Sequence, residues 1–133
     1  MPETNGAIAR RVIYDLEALL QQLDPDVVWD NRGASPPDHD GVFRGKAEVS
    51  KIIREWVGSW AEYRIAVDEV IEVGDDVILV VRESGVGKTS GAPIRNHHCY
   101  VWSFRNGLII GGSGGYESKT AALEAIRNRS DRP

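Results

Sequence analysis

Residues 94–116 read IRNHHCYVWSFRNGLIIGGSGGY, a pattern that predicts two strands joined by a tight turn. Side chains alternate along a strand, so one face of the first strand receives Asn96, His98, Tyr100, Trp102 and Phe104. Asn106-Gly107 supplies the positive φ angles of a two-residue hairpin turn. The returning strand carries GGSGG at residues 111–115, and glycine in a strand marks a bulge or a close approach to the backbone. An aromatic and polar strand beside one almost free of side chains predicts the wall of a pocket.

The composition indicates one soluble domain, spanning residues 1–133. Hydrophobic residues make up 41% of the chain and charged residues 27%, which is ordinary for a globular protein. The net charge of −4 argues against a nucleic-acid-binding surface, which is normally basic. The single cysteine, Cys99, excludes an internal disulfide framework. No apolar leader or membrane-spanning run is present, so we expect a cytoplasmic protein with no membrane partner.

The remaining patterns predict helices followed by strands. A helical stripe runs from Ile8 to Leu23; Asp15 could cap a second helix, but the stripe is unbroken and favours one bent or continuous helix. A short strand at residues 27–29 and a loop at 31–44 precede a second helix at 45–60. Strands follow at 63–73 and 77–81, then a flexible connection at 85–93. A short helix at 118–127 comes after the hairpin. This order predicts an α+β domain with an antiparallel sheet curved around helices.

Four segments together closely resemble the SnoaL-like branch of the nuclear-transport-factor-2-like superfamily. They are LDPDVVWD, GVFRGKAEV, GDDVILVVRESGVGKTSGAPI and YVWSFRNGLI, and the resemblance covers about residues 16–125. It implies a cone-shaped curved sheet wrapped around N-terminal helices, with a short C-terminal helix. It also implies a deep apolar pocket and a homodimer formed through the outer face of the sheet. Enzymes of this fold include ketosteroid isomerase, polyketide cyclases, scytalone dehydratase and an epoxide hydrolase.

Two departures from relatives bear on the pocket. Tyr14 runs directly into Asp15, without the residues that usually separate the first two helices. The last strand carries GGSGG where relatives usually have bulky or charged side chains. We expect both changes to widen the cavity.

The resemblance to ketosteroid isomerase implies roles for individual residues. It aligns Tyr100 with the protonated aspartate of the oxyanion hole, and tyrosine can donate the same kind of hydrogen bond without a shifted pKa. The aspartate base of the isomerase falls on Asn31 without a gap, or on Asp30 with a one-residue shift. Such a shift reverses the face to which a side chain points, so the alignment leaves the base undecided. The alignment also turns four further residues inward: Trp102, Gly112, Gly114 and Tyr116.

His98 is a second candidate for acid–base chemistry. It precedes Tyr100 by two residues on the same face, and imidazole titrates near neutral pH. The alternative is a histidine satisfied by a hydrogen bond inside a polar-lined cavity. His97 and Cys99 point to the opposite face, so the three consecutive residues cannot bind one metal. His39 and Asp40 could reach the mouth of the pocket, but we expect neither a metal nor a cofactor.

The tryptophans are the other notable set. Trp56 and Trp60 lie on a helical stripe, where packing in the core is the ordinary role. If the pocket is open, some of the rings would line it and favour a planar, apolar ligand: Trp29, Trp56, Trp60 and Trp102.

Three functions fit these patterns. The first is a cofactor-independent isomerase, cyclase or dehydratase that moves a proton on a hydrophobic, ring-containing molecule, with catalysis by His98, Tyr100 and Asp30. The second is a small-molecule-binding protein without catalysis. The third is a dimerisation module whose pocket is closed by aromatic residues.

Overall fold

A computed structural model describes residues 3–32 and 41–130, and shows a curved sheet with helices against its concave face. The helices are α1 (Asn5–Val12), α2 (Leu16–Gln21), α3 (Lys46–Gly58) and α4 (Lys119–Ser130). The strands are β1 (Leu23–Asp30), β2 (Val42–Arg44), β3 (Trp60–Val73), β4 (Asp76–Gly87), β5 (Pro93–Arg105) and β6 (Leu108–Tyr116). Within the described residues they form one six-stranded sheet in the order β2-β1-β6-β5-β4-β3. The predicted α+β cone fold is confirmed; one pair, β1 with β6, is parallel.

The N-terminal segment forms two helices, so the prediction of a single bent or continuous helix is wrong. Asp15 has extended backbone angles, φ −136° and ψ 103°, and its side chain accepts a hydrogen bond of 3.2 Å from the amide of Ala18. A short acidic side chain competes in this way with the helical ladder and begins a new helix instead. The apolar stripe survives the break because α1 and α2 both pack into the same core.

The second predicted helix ends earlier than its apolar stripe. Helix α3 stops at Gly58, where the hydroxyl of Ser59 donates to the carbonyl of Trp56 at 2.7 Å. Trp60 therefore begins β3 rather than ending α3. The apolar stripe could not show this, because a buried residue at the start of a strand is as apolar as one at the end of a helix.

The sheet is more extensive than its apolar runs predicted. Strand β4 continues to Gly87, through the first third of the segment predicted to be flexible, and pairs with both β3 and β5 along its length. Strand β2 lies within the predicted loop, at Val42–Arg44, and residues 33–40 of that loop lie outside the described residues. Strand β3 contains an irregularity between Ala61 and Arg64, where Glu62 has φ +57°.

The two faces of the sheet have different coverings. The concave face packs against α1, α2 and α3 around a core that includes Val12, Val49 and Phe104. Helix α4 covers part of the outer face, with Ala122 and Ile126 packed over a second cluster that includes Cys99. His97 lies on the outer face with its side chain 68% exposed. A homodimer through this face stays a prediction. None of the described helices is long and apolar enough to cross a membrane.

Candidate functional site

A cavity of about 820 Å³ lies between the helices and the concave face of the sheet. Its apolar walls come from α2, α3 and β3, including Leu19, Ile52 and Ile65. Eight of the residues proposed from sequence line it: Trp29, Asn31, Trp56, Asn96, His98, Tyr100, Trp102 and Gly114. Strand alternation explains the contribution of β5, because residues 96, 98, 100 and 102 share one face.

Asp30 does not line this cavity. Its carboxylate pairs with the guanidinium of Arg32 at 2.9 Å and 2.7 Å, and it borders a second, smaller cavity of about 340 Å³ beside Ser113 and Tyr116. Trp29 and Asn31 line the main cavity, so the residue between them points to the other face of β1. This register removes the aspartate base that the one-residue shift would have provided.

Three other proposed pocket residues also lie elsewhere. Trp60 is 5% exposed and packs edge-on between the rings of Trp56 and Tyr63, behind the cavity wall. Tyr116 borders the smaller cavity, where its hydroxyl lies 3.0 Å from that of Ser113. Gly112 lies beneath the ring of Trp29.

Aromatic rings fill the space beside Gly112 and Gly114, whereas we expected these glycines to widen the cavity. A Cβ atom at Gly112 would lie 2.5 Å from Cε3 of Trp29, and one at Gly114 would lie 2.5 Å from Cε1 of Tyr100. These distances are far below ordinary carbon contacts. The glycines therefore give two aromatic rings room to lie flat on β6, and the space they leave is filled by those rings.

Tyr14 lies in the link between α1 and α2 and borders the cavity. Its hydroxyl accepts a hydrogen bond of 2.9 Å from the amide of Val67. The hydroxyl proton has no acceptor among the described residues, so Tyr14 can still donate to a ligand.

Glu83 is the residue of this site that sequence reasoning missed. It is 1% exposed, on the concave face of β4, and its carboxylate lies directly behind the cavity wall. The side chains of His98 and Tyr63 contact its two oxygens, His98 through Nε2 at Oε1 and Tyr63 through its hydroxyl at Oε2. The hydroxyl of Tyr100 donates to Oε1 at 2.7 Å. Strand alternation could have indicated its position, because residues 77, 79, 81 and 83 share one face of β4 and the first three of them lie in the core.

Three donors keep this buried carboxylate ionised. Burial raises the pKa of Glu83, but the hydrogen bonds from His98, Tyr63 and Tyr100 outweigh it, and the pKa lies below its ordinary value of 4.5. Burial, and then the charge of Glu83, raise the pKa of Tyr100 well above its ordinary value. The same two causes raise the pKa of Tyr63. Both tyrosines therefore stay protonated and remain hydrogen-bond donors.

The position of the Glu83 carboxylate also determines which nitrogen of His98 carries the proton. Nε2 faces Glu83 and lies 3.1 Å from the hydroxyl of Tyr100, so a neutral imidazole carries its proton on Nε2. Nδ1 then holds the lone pair, and it has no hydrogen-bond partner within residues 3–32 and 41–130. An imidazole oriented by a buried carboxylate can accept a proton, and the carboxylate stabilises the resulting imidazolium. Tyr100 differs from its proposed role, because its single proton is donated to Glu83 and not to the cavity.

No group of three histidine, cysteine, aspartate or glutamate side chains is placed to hold a metal in the part of the chain that the structure describes. His39 and Asp40 lie outside those residues. Glu83, His98, Tyr63 and Tyr100 form one hydrogen-bonded cluster at the wall of the main cavity.

Comparison with known families agrees with the fold. The SnoaL-like domain family matches residues 7–111, most of the chain. The protein belongs to the SnoaL-like family. A search of curated proteins finds no match to this SnoaL-like chain.

Solved structures resemble the SnoaL-like chain along nearly its whole length. An NTF2-like protein of unknown function from Burkholderia pseudomallei K96243 is 28% identical, with a TM-score of 0.73 over 94% of this chain and 97% of that one. A protein from Jannaschia sp. CCS1 assigned as a SnoaL-like polyketide cyclase is 13% identical, with a TM-score of 0.73 over 98% and 95%. A protein from Rhodopseudomonas palustris assigned as an isomerase is 21% identical, with a TM-score of 0.71 over 96% and 99%. At these identities the last two share the fold.

Proposed function

We propose that this SnoaL-like protein is an enzyme that moves a proton on a hydrophobic, ring-containing molecule bound in the main cavity. The observation that carries the proposal is the buried carboxylate of Glu83 hydrogen-bonded to His98 in the cavity wall. A carboxylate hydrogen-bonded to a histidine fixes the tautomer and the orientation of the imidazole ring. The reaction class is an isomerisation, cyclisation or dehydration that begins by removing a proton from carbon next to a carbonyl group.

His98 is the proton-transfer group in this proposal. Its Nδ1 takes the proton, the electron pair of the C–H bond passes into the carbonyl as an enolate, and Glu83 stabilises the imidazolium. Return of the proton to a different carbon completes an isomerisation. Attack of the enolate on a second carbonyl, whose oxygen then takes the proton back from His98, gives a cyclisation. Loss of a β-hydroxyl group as water, with the proton supplied by His98, gives a dehydration. Tyr63 and Tyr100 hold the Glu83 carboxylate in place, and their hydrogen bonds keep it ionised.

The rings of the cavity wall support a planar ligand. Trp29, Trp56 and Trp102 line a space of about 820 Å³, within the range of small-molecule sites. Aromatic walls bury a flat apolar molecule and exclude water from the enolate.

The test is exchange of acidic carbon-bound protons. 2-Tetralone in deuterated water exchanges its α-protons for deuterium. Nuclear magnetic resonance measures the rate of this exchange in the presence of the wild-type protein. His98→Ala should lower the protein-dependent rate about 100-fold or more, the usual contribution of a general base. His97→Ala is the matched control, because the neighbouring imidazole is exposed on the outer face and should leave the rate unchanged.

Equal rates for wild type and His98→Ala would contradict the role of His98. Binding of 2-tetralone with no protein-dependent exchange in wild type would reject catalysis and favour the small-molecule-binding alternative.

A further inference from the structure

Asn96 is a polar residue of the cavity wall that the cluster around Glu83 does not use. It is half-buried on the inner face of β5 and lines the main cavity two residues before His98. Asn96 is also the direct cross-strand partner of Glu83, yet its carboxamide makes no hydrogen bond in the described part of the chain. The two oxygens of that carboxylate are already contacted by one histidine and two tyrosines. The N–H groups of Asn96 therefore remain available to a ligand.

The proposed reaction places negative charge on an oxygen atom, and that oxygen needs a hydrogen-bond donor. The two tyrosines that contact Glu83 cannot serve, because each donates its single proton to the carboxylate. Tyr14 retains its proton, but its hydroxyl is held at Val67 on β3, two strands and so about 10 Å from β5. Asn31 follows β1, which is also two strands from β5. The carboxamide of Asn96 lies on the same strand as the proposed base.

Strand geometry separates Asn96 and His98 by the distance that a ketone can span. Side chains two residues apart on one face of a strand lie about 7 Å apart. The oxygen of a ketone lies two bonds from the carbon that loses its proton. With a hydrogen bond of about 3 Å at the oxygen and an approach of about 3 Å at the carbon, one carbonyl group reaches both side chains.

We propose that Asn96 is a further catalytic residue, which donates a hydrogen bond to the enolate oxygen. This inference rests on the proposed function and adds the group that stabilises its intermediate. As Nδ1 of His98 takes the proton, the electron pair of the C–H bond becomes charge on the carbonyl oxygen, and the carboxamide N–H faces that charge. The donor binds the enolate more strongly than the neutral ketone, so it accelerates the reaction and does not only tighten binding.

The test is Asn96→Leu, because leucine keeps the size and branching of asparagine and cannot donate. Nuclear magnetic resonance measures 2-tetralone exchange at saturating ketone, and equilibrium dialysis measures the dissociation constant of the same ketone. The saturated rate should fall about 100-fold or more, as on removal of an oxyanion donor. The dissociation constant should rise less than about fivefold, the contribution of one hydrogen bond to a neutral group. Arg95→Ala is the matched control, because this exposed neighbour alternates to the outer face and should leave both quantities unchanged.

The wild-type protein provides a second measurement that does not depend on the folding of the variant. The side-chain amide proton resonances of Asn96 should move downfield when 2-tetralone is added, and should not do so with tetralin, the hydrocarbon with the same rings. Equal shifts with the two probes would overturn the inference. An unchanged saturated rate in Asn96→Leu, or a loss confined to the dissociation constant, would also overturn it and leave the role of His98 standing. Absence of exchange with wild-type protein would overturn the proposed function and this inference together.

Discussion

Gly114→Ala should displace Tyr100 from Glu83. The new Cβ atom would lie 2.5 Å from Cε1 of the tyrosine ring, whereas carbon atoms in contact lie about 3.5 Å apart, so the ring must move by about 1 Å. The hydrogen bond from Tyr100 to Glu83 is 2.7 Å long, and a shift of that size stretches it to roughly 3.7 Å, beyond hydrogen-bonding distance. Loss of a hydrogen bond to a buried charge lowers the free energy of unfolding by about 1.5–3 kcal/mol.

Urea denaturation measures this loss, with Gly111→Ala as the matched control. Gly111 lies in the same strand, and its added Cβ would meet Val28 at 3.4 Å and Ser103 at 3.8 Å, which are ordinary contacts. That variant should change the free energy of unfolding by less than about 1 kcal/mol. Neither glycine requires a positive φ, so the difference between the variants reports the contact with the ring.

A double-mutant cycle isolates the cause. In a Tyr100→Ala background the ring is gone, and adding Gly114→Ala should then have little further effect on stability. If Gly114→Ala is as stable as Gly111→Ala, or destabilises the Tyr100→Ala protein as much as the wild type, the proposed packing of Tyr100 against Gly114 is wrong.

Two further variants test the carboxylate and the helix break. Glu83→Gln should lower the free energy of unfolding by about 2–3 kcal/mol at pH 7, because a neutral amide replaces the charge that accepts three hydrogen bonds. Since the folded-state pKa of Glu83 is depressed, the stability that its charge contributes is present above pH 4.5 and is lost as the pH falls further. The difference in urea midpoint between wild type and Glu83→Gln should therefore narrow below pH 4.5. A constant difference down to about pH 3 would contradict the depressed pKa. Asp15→Ala should lower the free energy of unfolding by about 1 kcal/mol through loss of the α2 cap, with exposed Gln21→Ala in the same helix as the control, and equal stability of the two would argue against capping.

The helix break shows what a local pattern leaves open. The apolar spacing from Ile8 to Leu23 fits one continuous helix and also two helices that share a core. Asp15 indicates a possible cap, but a cap forms only where the chain must change direction to pack. The early end of α3 has the same origin, because Trp60 satisfies burial equally well as the first residue of β3. Hydrophobic periodicity reports which residues are buried and not which element buries them.

Glu83 escaped prediction for a related reason. A charged residue after an apolar run normally marks the point where a strand meets solvent. In the fold, β4 continues beyond it to Gly87, and its pairing with β5 brings His98 and Tyr100 to the same carboxylate. Their hydrogen bonds offset the cost of burying the charge. None of these partners lies within 14 residues of Glu83 in the sequence, so alternation could indicate the face on which Glu83 lies but no local pattern could identify its hydrogen-bond partners.

The sequence by itself determined the hairpin at Asn106-Gly107 and the inner face of β5, because turn chemistry and alternation act over a few neighbouring residues. Its resemblance to a known family indicated the SnoaL-like fold. The tertiary structure alone decided that Asp30 faces away from the main cavity and that Glu83 lies behind it. Both outcomes depend on strand register: a shift of one residue turns a side chain to the opposite face, and register is set by pairing between strands distant in the chain.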